Sequence, residues 1–297
     1  MTDQTPPPIR LTPSQLTSYA QNGYLHLPLS EHNLITPTLL HQYTHEVRSL
    51  PLTHNAHMPY LETLPSGQKQ LMRTENFVPY HADFSSLLTG PGLESILSQL
   101  IGDEQGGVAL FKDKINYKLA KGNGFKAHLD APAYSHITSL TRPGQELAHI
   151  TANFAVDAAS PANGCIEVVP GSHLMSVPLI PGGGAIDPEW EKEQEWVSVP
   201  LEEGDLLIFG SVLAHRSGRN ESGGERKSIY ATYYLRREGE GLREMYYQDR
   251  RERFPPDHER VPGKDYSAGV QRYAFAAPFT TIEKPAGAQT VKAQEVM

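Results

Sequence analysis

The 297-residue chain has one cysteine, Cys165. A lone thiol forms no internal disulfide, so the fold is unstapled and fits a reducing compartment, the cytoplasm. Long apolar runs are missing, and nothing approaches the roughly 20 residues that cross a bilayer. The polar, Pro-rich start, Met1 to Arg10, lacks the apolar segment of a signal peptide. The end, Gln294-Glu295-Val296-Met297, does not match a peroxisomal address. Positive charge is short as well, with 26 Lys and Arg against 34 Asp and Glu for a net charge of −8. That balance excludes the basic footprint of a nucleic-acid binder. The expected partner is a small molecule, with no nucleic acid and no membrane; a homodimer is compatible with this reading. Histidine is abundant, with thirteen residues, more than any one site uses.

The text divides into two styles. Residues 1–10 read as a disordered tail, and 11–297 as one domain. Thr12, Pro13 and Gln15 form a capping-box start for a helix that ends near Asn22-Gly23. Tyr24 to Leu27 reads as a strand. Residues 33–50 and 84–101 read as helices, and 51–70 as irregular. Short apolar or alternating runs then follow at 108–119, 149–156, 166–169, 196–200, 206–209 and 228–235, separated by Gly, Pro and Asn turns. That pattern predicts a β-sandwich or barrel, with helices in front of an all-β core. Asn163-Gly164 between two apolar runs predicts a hairpin. Residues 181–195 read as a mobile charged insertion, and 237–265 as a solvated face.

The chemistry concentrates at Phe125-Lys126-Ala127-His128-Leu129-Asp130 and at His215. Side chains alternate along a strand, so His128 and Asp130 share one face. A third ligand from a distant strand, His215, would complete a 2-His-1-carboxylate triad. Such a triad leaves positions open on Fe(II) and marks non-haem iron oxygenases. In Leu110-Phe111-Lys112-Asp113-Lys114-Ile115-Asn116-Tyr117, alternation puts Lys112, Lys114 and Asn116 on one face.

Three stretches occur in a telling order: His128-x-Asp130; Asn163-Gly164-Cys165 to Pro170-Gly171-Ser172-His173; and His215-x-Ser217-x-x-Asn220-x-Ser222-x-x-x-Arg226. Over residues 11–235 the chain resembles the phytanoyl-CoA dioxygenase family of Fe(II)/2-oxoglutarate oxygenases. The resemblance implies a double-stranded β-helix (jelly-roll) fold. It also implies O2-dependent hydroxylation of an unactivated C–H bond, coupled to conversion of 2-oxoglutarate to succinate. His128, Asp130 and His215 are then the metal ligands and catalytic residues. Arg226 is the two-pronged cation for the cosubstrate's distal carboxylate, with Ser217 beside it. Asn116 and Lys112 stand against the cosubstrate, and Phe125 covers it. Halogenating relatives lack the carboxylate, so Asp130 implies oxygenation.

Three segments, Arg73-Thr74-Glu75-Asn76-Phe77, Leu110 to Lys118 and Gly122 to Asp130, are similar to a branch acting on small zwitterions, the 2-aminoethylphosphonate dioxygenases among them. That likeness implies substrate contacts from Lys114, Arg73, Asn76 and Tyr134. Leu129 and Ala131-Pro132-Ala133-Tyr134 depart from the branch's more polar text, which suits a larger or less polar substrate. Three other functions compete. They are a natural-product oxygenase that hydroxylates, desaturates or rearranges with the same site, a non-catalytic metal-binding sensor, and a zinc hydrolase. A sensor would lose the triad or Arg226. A hydrolase would need a general base beside the metal, and no Glu lies within the His-x-Asp segment.

Overall fold

The computed structural model describes residues 8–63, 67–138 and 149–278. Residues 1–7 of the expected tail lie outside the described residues. Its last members are held: the Ile9 amide donates to Ser95 Oγ at 3.2 Å, and Arg10 pairs with Glu104.

Among the described residues, eleven strands form two antiparallel sheets. They are β1 (Tyr24–Leu27), β2 (Met58–Thr63), β3 (Lys69–Glu75), β4 (Val108–Lys118), β5 (Phe125–His128), β6 (Ile150–Ala155), β7 (Ile166–Val168), β8 (Val197–Val199), β9 (Leu206–Gly210), β10 (His215–Ser217) and β11 (Arg226–Leu235). The large sheet runs β1-β9-β6-β11-β4-β3-β2 and the small one β5-β10-β7-β8. This is the expected jelly-roll with flanking helices. Alternation along β11 explains the layering. Ile229, Ala231 and Tyr233 face outward into the main apolar core, with Ile115 and Tyr117 of β4 beside them. Arg226, Ser228, Tyr230 and Thr232 share the other face, opposite Lys118, Asn116, Lys114 and Lys112. One end of the space between the sheets is apolar, filled by Cys165, Ile166, Val168, Leu207 and Phe209. The other end is polar.

The helices that cover the outer face follow their caps. In α1 (Pro13–Asn22) Thr12 Oγ1 accepts from the Gln15 amide, Gln15 Oε1 accepts from the Thr12 amide, and Gly23 closes the helix at φ 80°. The helix expected over 33–50 is shorter, α3 (Pro37–Arg48), and a separate helical turn, α2 (Leu29–His32), precedes it. Asn33 is left-handed at φ 46°, and Pro37 restarts the chain with Thr36 as cap. The helix expected over 84–101 breaks at Gly90-Pro91 into α4 (Ala82–Leu88) and α5 (Pro91–Ile101). Among the described residues no helix is long and apolar enough to cross a membrane.

Four other expectations change. The segment expected to be irregular holds β2 and the start of β3. The Asn163-Gly164 turn does not join a hairpin: β6 pairs with β9 and β11, while β7 pairs with β8 and β10. The turn is instead the corner where the chain leaves one sheet for the other. After α6 (Ser135–Thr138), residues 181–195 contain α7 (Pro188–Glu193), and Gly184 O and the Ile186 amide bond to Leu129 and Ala127 alongside β5. The charged stretch after 236 folds into α8 (Leu242–Arg253), with α9 (Ser267–Tyr273) beyond it. Leu242, Tyr246, Tyr247 and Arg250 form a buried stripe on α8 at helical spacing, so it is not a solvated face.

Candidate active site

His128 ends β5 and His215 begins β10; they are direct register partners. Asp130 lies two residues beyond the strand, in helical backbone at the start of a short 3-10 turn. All three are buried, and their ligand-type atoms lie within 4.8 Å of one another. The Nδ1–H of His128 donates to Lys126 O at 2.7 Å, and that of His215 to Leu213 O at 2.9 Å. A carbonyl only accepts, so each ring is fixed with its Nε2 lone pair facing the triad, the form that binds a metal. Burial first, then His215 for His128, keeps the imidazoles below their ordinary pKa and therefore neutral. Burial alone would raise the Asp130 carboxyl. Lys112 and then Lys114 overcome it and hold the group well below the usual carboxylate range. Two neutral imidazoles and one carboxylate fit Fe(II).

The cations expected on β4 line this end of the sandwich. Lys112 Nζ stands 3.8 Å from Asp130 Oδ1 and 4.7 Å from the centre of the Tyr134 ring. Lys114 Nζ lies 4.8 Å over Tyr230, and burial, then Arg73, pulls it down to about 7. Asn116 Oδ1 accepts from Arg73 Nε at 3.0 Å, and Arg73 lies over Phe125 at 5.5 Å. A cavity opens beside the triad, lined by Arg73, Lys112, Lys114 and Phe125 together with Tyr246, Arg250, Tyr273 and Phe275.

Arg226 sits 62 residues from Gly164 in the chain but donates to Gly164 O at 3.1 Å, and to Ser228 Oγ at 2.6 Å. Lys118, its register partner, donates to Gly164 O at 2.9 Å and to Ser217 Oγ at 2.8 Å. Two buried cations therefore meet at the sheet-crossing corner, beside Ser217.

Not every expected residue reaches the cavity. Tyr134 is fully buried in the aromatic cluster with Phe111 and Tyr246, behind Lys112. Asn76 is a left-handed turn residue (φ 54°) whose Oδ1 accepts from Arg243 at 2.9 Å. Leu129 points away from its neighbours His128 and Asp130 and packs with Val169 and Ile186. Its apolar character is a core requirement and says nothing of the substrate. The remaining histidines near the motifs have structural partners: His136 has Asp249, His149 has Glu238, and His173 has Ala20 O.

Residues 19–228 match the family model described as phytanoyl-CoA dioxygenase. The chain belongs to the phytanoyl-CoA dioxygenase family. Methylphosphonate hydroxylase of Gimesia maris is 37% identical over 246 residues, covering 82% of this chain and 88% of that one. The 2-aminoethylphosphonate dioxygenase of uncultured bacterium HF130_AEPn_1 is 32% identical over 268 residues, covering 90% and 98%. Among solved structures, EctD from S. alaskensis with 2-oxoglutarate and 5-hydroxyectoine superposes with a TM-score of 0.62 at 20% identity, over 79% of each chain, which supports the fold. As a phytanoyl-CoA dioxygenase family member with an intact triad, the protein is an Fe(II)- and 2-oxoglutarate-dependent dioxygenase.

Sequence reasoning missed Lys118, Glu75, Arg250, Tyr246, Tyr273 and Phe275. Lys118 was legible, since it continues the alternation of Lys112, Lys114 and Asn116. The last four lie beyond the part of the chain that matches the phytanoyl-CoA dioxygenase model, on α8, α9 and the segment after them.

Proposed function

We propose that this single-domain protein hydroxylates an unactivated C–H bond of a small molecule with an anionic or zwitterionic head group, an aminophosphonate or betaine-like compound among them, and that it works in the cytoplasm. The observation that carries this reading is the buried triad with both Nε2 atoms turned inward, opening on a cavity lined by Arg73, Lys112, Lys114 and Arg250. His128, Asp130 and His215 would hold the iron. Bound iron with 2-oxoglutarate supplies O2-driven C–H oxidation, with release of succinate and CO2.

The chain's own residues do the rest. Arg226 and Lys118, with Ser217, bind the distal carboxylate of the cosubstrate; planar, charge-assisted donors suit it. Lys112 keeps Asp130 ionised. Phe125 separates the cosubstrate from the cavity and, with Phe275, excludes water. Phe275 stands 6.0 Å from the His128 ring, and Lys126 N donates to Ala276 O at 3.1 Å, which ties that segment to β5. The buried, reduced Cys165 supports a reducing compartment.

The hydrolase alternative loses ground. Glu75 is the carboxylate near the triad that could act as a base, but it is bonded to Arg73 and Arg250. Burial would raise it, yet Arg250 and Arg73 bring it below the ordinary value. A carboxylate so paired is a poor proton acceptor.

The test begins with anaerobic addition of Fe(II) and 2-oxoglutarate to the apoprotein, following the weak visible charge-transfer band of a chelated keto acid. A band in the wild type that is lost in His215→Ala and Arg226→Ala supports the site. Succinate release is then screened over phosphonates and betaines. Stoichiometric iron without a band would overturn the cosubstrate assignment.

A further inference from the structure

The carboxylates that line the cavity are Glu75, Asp113 and Asp130, and each is already committed. Asp130 belongs to the triad. Asp113 accepts from the Phe77 and Val78 amides at 2.7 and 3.2 Å and pairs with Arg243. Glu75 Oε1 accepts from Arg73 Nη1 at 3.0 Å and from Arg250 Nη2 at 2.6 Å. Two of the aromatic faces that could greet an ammonium are occupied too. Arg250 lies over Tyr273 at 4.8 Å, and Arg73 over Phe125 at 5.5 Å. Cations are in surplus. Arg73, Lys112, Lys114 and Arg250 face the cavity against Glu75 and Asp130, and among the described residues Lys114 Nζ has no hydrogen-bond or ion-pair partner. A cation set among others at a largely buried position, with no carboxylate of its own, is stabilised by an anion from outside. An incoming ammonium meets like charge.

We infer that the substrate's head group is an anion without an accompanying ammonium, of the simple alkylphosphonate class, bound by Lys114 and Arg73, and that Arg250 is a positioning residue that aligns Arg73 through Glu75. This narrows the head group of the proposed function from anionic or zwitterionic to anionic alone, and it rests on that function. Arg250 is fully buried and comes from α8. By sharing Glu75 it leaves part of the Arg73 guanidinium's charge to the cavity; without it, Glu75 would draw Arg73 in.

The experiment uses the whole protein as its anaerobic Fe(II)–2-oxoglutarate complex. The visible band is titrated with methylphosphonate, ethylphosphonate and 2-aminoethylphosphonate. The alkylphosphonates are expected to perturb the band at least tenfold more tightly than the amino compound. In Lys114→Met that preference falls by at least tenfold. Arg250→Gln is expected to weaken methylphosphonate without altering 2-oxoglutarate affinity, and Arg250→Lys to recover part of the loss. If Arg250→Gln fails to fold, Lys114→Met alone still decides the anion subsite. Equal or tighter binding of 2-aminoethylphosphonate would overturn the inference and leave the oxygenase reading standing. So would a normal band that no alkylphosphonate perturbs. Absence of the band in the iron-loaded wild type would overturn the function itself.

Discussion

His128 and His215 face each other across adjacent strands with ring centroids 4.1 Å apart, and each donates Nδ1–H to the carbonyl two residues before it. The two rings are therefore oriented by backbone, with no second side chain needed to hold either. This arrangement binds an ion with little reorganisation, and it makes the site depend on the β5–β10 register. A one-residue slip would put the two imidazoles on opposite faces.

Asp130 is the ligand whose removal separates metal binding from folding. Its carboxylate makes no capping bond to the turn it begins. Asp130→Ala should lose turnover and stoichiometric iron while keeping the wild-type far-UV circular dichroism. The metal-free Tm should stay within about 4 °C, the shift that about 1 kcal/mol produces in a domain of this size. Iron content and a melting curve test this; a variant that unfolds would mean the carboxylate is structural.

Lys118 and Arg226 should both matter for the cosubstrate. Hydrogen bonds to charged groups contribute about 1.5–3 kcal/mol each, so Lys118→Ala or Arg226→Ala should raise the KM for 2-oxoglutarate roughly 10- to 100-fold. Iron binding should be retained, since neither residue approaches the triad ligands by hydrogen bond. Steady-state kinetics at saturating substrate measure this. An unchanged KM in either variant removes that residue from the cosubstrate site.

The same lysine predicts a pH dependence. Burial first, then Arg226, pulls Lys118 down to about 7, against weaker opposition from Cys165 and Glu167. An anionic carboxylate binds the protonated form. Below pH 7 that form is already present. Above it, binding must take up a proton, so the apparent Kd for 2-oxoglutarate should rise by up to about tenfold per pH unit. In Lys118→Arg the group stays charged, and the profile should be flat between pH 7 and 9. An identical slope in that variant assigns the titration elsewhere.

How much of this was legible in the sequence follows from the range of each signal. The triad was readable because His128-x-Asp130 is a compact motif, although Asp130 lies in the turn just past the strand, and His215 came with a dense local pattern ending at Arg226. The strands from 108 onward were readable from short apolar runs between turns. The β2 strand was not, because its inward positions, Met58, Tyr60 and Glu62, mix apolar and charged side chains, and Pro59 sits among them. The wall built by α8 was hidden by composition. Arg250 looks like one more surface arginine until tertiary packing sets it against Glu75, 175 residues away. The supposed hairpin failed for a related reason: Asn-Gly specifies a turn, and the partners on either side are chosen by the sheets.

The corner itself offers the sharpest test of how the cosubstrate end is built. Gly164 has φ +72°, and a Cβ there would stand 2.3 Å from Gly218 O and 2.7 Å from Lys118 Nζ. Its carbonyl accepts from both Lys118 and Arg226, so any shift of this backbone moves the two cations together. A left-handed non-glycine residue costs about 1 kcal/mol from its backbone alone, before the contacts are counted. Gly164→Ala should therefore lower the urea midpoint and weaken 2-oxoglutarate, while the triad, on other strands, still binds iron. Gly218→Ala is the matched control, because a Cβ there meets nothing within 4 Å and its φ is ordinary. If Gly164→Ala binds 2-oxoglutarate as the wild type does, the two cations are positioned by something other than this carbonyl.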